Sequence, residues 1–165
     1  IFTYKSYTEH ENYFMNAAKS LVSNKKTVIH GDFSPKNILI GADFPIILDA
    51  ETACWGDPIF DLAFCNNHII LKSILNTSNK KEYILLSKKF IETYINKINW
   101  EEKSNFIDRF LKLIPLLVLA RLDGKSPIEY YQNKHIKKAR ALSLKILDDK
   151  IKDINNFFSI WEKYV

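Results

Sequence analysis

Glycine is scarce in this 165-residue sequence, occurring only at Gly31, Gly41, Gly56 and Gly124. Cysteine is scarcer still. Cys54 and Cys65 stand alone, with no CxxC pair and no histidine at metal-ligand spacing. That excludes a disulfide scaffold or a zinc module and leaves two reduced thiols. Long apolar runs are also missing: the longest charge-free one, Leu113 to Ala120, is far short of the ~20 residues that span a bilayer. Nothing at the head resembles a signal peptide, so no membrane role and a cytoplasmic setting are expected. No clustered Arg/Lys interleaved with exposed aromatics occurs, because the lysines behind the net charge of +5 are scattered along amphipathic segments. Nucleic acid is therefore not an expected partner, whereas an anionic small molecule suits the charge. The chain opens with Ile1 instead of Met. Together with the few glycines, this suggests a fragment.

The composition that remains is that of an ordinary globular domain: 47% apolar and 26% charged. Residues 1–165 are expected to form a single domain, α+β and mainly helical. Apolar spacing predicts a helix over residues 8–22. Three short β runs should follow, at Thr27 to Ile29, Asn37 to Ile40 and Pro45 to Leu48, forming one hairpin-like unit. Beyond Asp57-Pro58, which read as a cap and a first helical residue, helical periods take over. Helices are expected to about Leu75, then across Tyr83, Leu86, Phe90, Ile91, Tyr94, Ile95 and Ile98 on one face. A further one should run from about Glu101 to Leu122, crossing the core with a kink at Pro115. A short helix restarting at Ser126-Pro127 and two final ones, roughly 134–150 and 153–164, complete the pattern.

The chemistry concentrates in residues 28–40, VIHGDFSPKNILI, and in ILDAE at 47–51. Asp32 can accept a hydroxyl proton. Asn37 offers an amide oxygen and Asp49 a second carboxylate, hard ligands suited to Mg²⁺, which binds few protein groups and keeps waters and nucleotide phosphates. Phosphoryl transfer requires that combination. Singly, each residue has a plainer use: Asp32 or Asn37 in a turn, Asp49 at a strand end, His30 bracing the loop. Lys36 is either a phosphate contact or a solvated loop lysine, and Trp55 either a cleft wall or a core aromatic. Arg121, Asp123 and Lys125 sit at a helix end, where capping competes with substrate recognition.

The stretches HGDFSPKNILI and ILDAETACWGDPIFDLAF resemble the aminoglycoside phosphotransferase and choline kinase family, whose fold is similar to that of protein kinases. RLDGKSPIEYY at 121–131 is similar to bacterial phosphotransferases of unassigned substrate. The resemblance implies a small β insertion carrying a catalytic loop, with Asp32 as base and His30 organising it. It implies Asn37 and Asp49 as Mg²⁺ ligands, with Glu51 near the metal through water or near the substrate. Asp61 would be a buried brace bonded to backbone near the loop. Ser34 and Lys36 depart from the family pattern, and Lys36 would lie beside nucleotide phosphates.

The resemblance covers a C-terminal, catalytic and substrate lobe. A nucleotide-binding N-terminal lobe, with its strand hairpin and strand lysine, is not found before Val28 and is expected as a missing partner. The expected function is transfer of the γ-phosphate of ATP or GTP to a hydroxyl of a small molecule: an aminoglycoside-like compound, a sugar, choline or an amino-acid derivative. The isolated lobe is expected to be inactive. The alternative is a non-catalytic binding or regulatory module that keeps affinity for Mg²⁺-nucleotide or an acceptor.

Overall fold

The apolar periodicity beyond Asp57 folds into a stack of helices. The computed structural model describes residues 3–165, and among these it holds six α-helices: α1 (Glu11–Ser23), α2 (Ile59–Leu75), α3 (Lys80–Lys97), α4 (Lys103–Asp123), α5 (Asn133–Asp148) and α6 (Ile154–Tyr164). The fold is α+β and mainly helical, with small antiparallel sheets. None of the helices is long and apolar enough to cross a membrane.

Helix α2 starts where the sequence places it. Asp57 accepts the Ile59 N–H on Oδ1 at 3.1 Å, and its carbonyl accepts the Phe60 N–H at 3.0 Å. Both bonds satisfy donors that a helix start leaves open. The same carboxylate is buried against Arg109 of α4, with Nε 3.2 Å from Oδ2, and Arg109 reaches Glu101 at 2.6 Å. One ion network thus ties the heads of α2 and α4.

Helix α4 crosses the core and stays helical on both sides of Pro115. Its Phe110 and Ile114 share one core with Ile70, Ile91, Phe157 and Trp161, all essentially inaccessible. Several polar atoms buried here are paired: Trp161 donates to Ser73 at 3.0 Å, and Ser87 donates to Asn66 at 2.7 Å. Such pairing removes most of the desolvation penalty of a buried polar group.

Two helical expectations are corrected. Leu86 is half exposed, because α3 buries Ile84, Ser87, Ile91 and Ile95, and Leu86 lies off that stripe. The Ser126-Pro127 segment is a turn, not a helix. Ile128 donates back to the Arg121 carbonyl at 2.9 Å and Arg121 binds the Ser126 carbonyl at 2.6 Å, closing the chain on the end of α4.

The β region also differs from a single three-strand unit. Strands β2 (Ile38–Ile40) and β3 (Pro45–Ile47) form the hairpin, with Leu39 opposite Ile46. Strand β1 (Thr27–Ile29) pairs instead with β4 (Cys54–Gly56), Val28 opposite Trp55. Three residues reading Cys-Trp-Gly carry too little periodicity to announce a strand. Trp55 is 59% exposed, so it is not a core aromatic, and it is not in the lining of the cleft that holds Asp32. The β1–β4 pair closes residues 30–53 into a loop with fixed ends.

Candidate active site

Where β1 ends, the backbone turns at Gly31, whose φ of +83° is open to glycine at no steric cost. A Cβ there would lie 2.7 Å from the Thr52 carbonyl, so only glycine fits. Asp61, in the first turn of α2, holds the turn from below. Its Oδ2 accepts the His30 N–H at 2.6 Å and its Oδ1 the Gly31 N–H at 3.0 Å. A carboxylate in that position is favoured by the helix dipole as well as by the two donors. The side chain is half-buried, less enclosed than the resemblance implies, but it bonds loop backbone as expected.

His30 braces the other side. Its Nδ1 accepts the Asp32 N–H at 3.2 Å and its Nε2 lies 2.8 Å from the Leu48 carbonyl, so the partners assign the Nε2–H tautomer. Thr52 donates to the His30 carbonyl at 2.9 Å. The imidazole is committed to backbone on both edges, as befits an organising residue.

Asn37, buried in a 3-10 turn (Pro35–Asn37), donates its Nδ2 to the Asp32 carbonyl at 2.9 Å and to Asp32 Oδ2 at 3.1 Å. Those two bonds fix the amide orientation and leave Oδ1 as its ligand-capable atom. Lys36 reaches the same Asp32 oxygen at 3.1 Å from an exposed position. The Leu48 N–H donates to the Asn37 carbonyl at 2.9 Å, which sets Asp49 one residue beyond that contact. Asp49 is itself left-handed, with φ of +63°, and leads into a 3-10 turn (Ala50–Thr52) that exposes Glu51.

Thus His30, Asp32, Lys36 and Asn37 are directly bonded to one another or to shared backbone, Asp49 adjoins them, and Glu51 stands on the next turn. Among the described residues no three His, Cys, Asp or Glu side chains could cage a metal by themselves. One amide oxygen and one carboxylate, both hard donors, do fit Mg²⁺ completed by water and phosphate.

A cleft of about 480 Å³ opens beside Asp32, with Lys36, Phe64, His68, Lys72 and Arg121 in its walls and Tyr83, Leu86 and Tyr130 around them. Burial, followed by the charge of Arg121, pushes the His68 imidazole down to about 4. Sequence reasoning passed over His68, Lys72, Tyr83 and Tyr130. The available signal was the polar positions 68 and 72, one turn apart on the side of α2 that also carries Asp61.

Residues 8–72 match the model of the phosphotransferase enzyme family, APH. No curated protein matches the chain. The matched segment runs from the turn before α1 to the last turns of α2, and it contains His30, Asp32, Lys36, Asn37, Asp49, Glu51 and Asp61. Over residues 8–72 the chain is therefore similar to the phosphotransferase enzyme family, of the aminoglycoside phosphotransferase-like kind.

Proposed function

We propose that the chain provides the catalytic and acceptor-binding, C-terminal lobe of a small-molecule kinase with a protein-kinase-like fold, using ATP or GTP with Mg²⁺. One observation carries this: Asp32 is held by Asn37, Lys36 and the His30 ring at the mouth of an open cleft, its loop clamped by Asp61. A carboxylate needed only for a turn has no use for that surround.

In the proposed reaction an acceptor hydroxyl in the cleft lies against Asp32. As its oxygen bonds the γ-phosphorus, the proton passes to the Asp32 carboxylate and the bond to the β-phosphate oxygen breaks, releasing the nucleoside diphosphate. Asn37 and Asp49 would hold Mg²⁺, which supplies charge neutralisation on the phosphates when bound. Lys36, exposed and flexible, can leave Asp32 for a phosphate oxygen and offset developing charge. Glu51 stands near enough in sequence to Asp49 to act on the metal through water. A nucleotide lobe would cover the apolar residues that β2, β3 and their turn expose, Ile40 at 90% and Phe44 at 70%.

The test is phosphoryl transfer from Mg²⁺-ATP, assayed in the longest polypeptide that carries this segment. Asp32→Asn should lower the rate by about 10²-fold or more, the usual scale of a lost general base, with little change in melting temperature. Activity within threefold of the parent would rule out Asp32 as the base. Nucleotide or acceptor binding without any transfer would instead favour a binding module.

A further inference from the structure

The cleft beside Asp32 has an unbalanced charge. Its walls hold three cationic side chains, Lys36, Lys72 and Arg121, against the single carboxylate of Asp32. Lys36 is already paired with Asp32 at 3.1 Å. Among the described residues no carboxylate forms an ion pair with Lys72; its Nζ stands 4.2 Å from the centre of the Tyr130 ring, a contact that leaves its three N–H donors for another group. Arg121 spends NH1 on the Ser126 carbonyl at 2.6 Å, while its Nε is buried with no hydrogen-bond partner. His68, in the same wall, likewise keeps a buried Nε2 without a partner. The charges of Arg121, Asp32, Lys36 and Lys72 all act on the His68 ring, which places them around one small volume.

A guanidinium and an ammonium brought together without a counter-charge are a standing cost that an anion relieves. A cationic acceptor would meet repulsion from both. The cleft, at about 480 Å³, is the size of a small-metabolite site, and Phe64, Tyr83 and Tyr130 give it the flat walls on which a carbon skeleton packs.

We infer that the acceptor is a small hydroxylated acid, its hydroxyl at Asp32 and its carboxylate or phosphate ester held by Lys72 and Arg121. This rests on Asp32 being the base of a kinase, and it narrows the acceptor to anionic compounds, setting aside choline and the polycationic aminoglycosides. The arrangement divides the work: Lys36 faces the transferred phosphate, Lys72 and Arg121 the acceptor's own charge, and the uncharged His68 imidazole a hydroxyl or acid oxygen.

The test is calorimetric titration of the 165-residue chain with D-glycerate, glycerol 3-phosphate, glycerol, choline and kanamycin. One of the two acids should bind at least tenfold tighter than glycerol, and which one does so separates a carboxylate from a phosphate site. Lys72→Gln and Arg121→Gln should each weaken that acid by about tenfold, and Arg121→Lys should restore part of it. Choline or kanamycin binding tighter than both acids overturns the proposal. So does either acid's failure to exceed glycerol, if both fail, or unchanged binding in both cation variants. The two levels separate cleanly. In the longest polypeptide that carries this segment, acid binding with no transfer from Mg²⁺-ATP defeats the kinase and leaves the anion site, whereas transfer to choline or kanamycin leaves the kinase and defeats the anion site.

Discussion

Replacing Asp61 by asparagine asks whether the loop that carries Asp32 is held by a carboxylate or by the strands around it. Asp61 accepts two backbone donors, at 2.6 Å from His30 and 3.0 Å from Gly31. Bonds to a charged acceptor contribute about 1.5–3 kcal/mol each, and neutral ones about 0.5–1.5 kcal/mol. Asparagine in the same rotamer keeps one oxygen but turns an NH₂ toward the second N–H, donor against donor. One bond is lost and the other is weakened, and water can reach this half-buried side chain to soften the loss, so about 2–3 kcal/mol is expected. In a chain of this length ~1 kcal/mol moves the melting temperature by about 2–4 °C, which sets the shift at roughly 4–12 °C. Net stabilities of ~5–15 kcal/mol leave the variant folded. Thermal melts give the global loss, and hydrogen exchange locates it: the His30 and Gly31 amides should lose about tenfold more protection than amides of α4 and α6. A melting temperature within about 1 °C of the parent, with those two amides unchanged, would show that the strands alone position the loop.

Two further perturbations probe the elements on either side. The His68 imidazole is pushed down from 6.5 to about 4 by burial and then by Arg121, so its charged form is the one that folding disfavours. The unfolded chain therefore takes the proton first, and stability is full above pH 6.5 and falls as pH drops from there toward 4. Solvent screening at this partly exposed ring limits the loss to about 1–2 kcal/mol. Urea titrations from pH 7 to pH 4 should show that slope flattened in His68→Gln, and equal slopes would refute it. At the other end of α2, Arg109→Met removes the partner of Asp57, whose side chain is wholly inaccessible. An uncompensated buried charge costs about 3–5 kcal/mol. Burial already holds the Asp57 carboxyl above its usual range, so uptake of a proton should keep the loss near ~3 kcal/mol. A urea midpoint equivalent to less than ~1 kcal/mol would contradict that, and adding Asp57→Asn should recover part of the loss.

The helices were legible because their signals are local. Asp57-Pro58 at the head of α2, Asp123-Gly124 at the end of α4 and the apolar period between them are written within one or two turns of chain. Strand β1 was read to the residue, but its partner was not. The pairing of Val28 with Trp55 spans the whole loop between them, and no local pattern encodes a contact at that distance. The same limit governs the site. His30, Asp32, Asn37 and Asp49 stand out because their order and spacing form a motif. The bond from Asp61 to His30 and Gly31 joins residues some thirty positions apart, and only the resemblance to a family pointed to it. His68 and Lys72 lie in none of the stretches that carry the resemblance, and what they share with Tyr130 is a location around Asp32 that several different segments create.

That location depends on α2 in a specific way. Asp61, Phe64, His68 and Lys72 follow one another at spacings of three or four, so they form a single stripe along one side of the helix. The stripe begins under the His30–Asp32 loop and ends beside Tyr130. The opposite side is anchored by Leu62, Ile70, Leu71 and Ile74, all fully buried, and by the Tyr131 hydroxyl donating to the Leu71 carbonyl. Such a core is close-packed, so α2 cannot slide or turn without opening voids. The brace of the loop and the wall of the cleft are therefore spaced by one rigid rod, not by a hinge. Positions 61 and 72 keep a fixed separation along it, about 16 Å of helical rise at ~1.5 Å per residue. Presenting the proposed acid to Lys72 and Arg121 with its hydroxyl toward Asp32 would then need no moving part in α2.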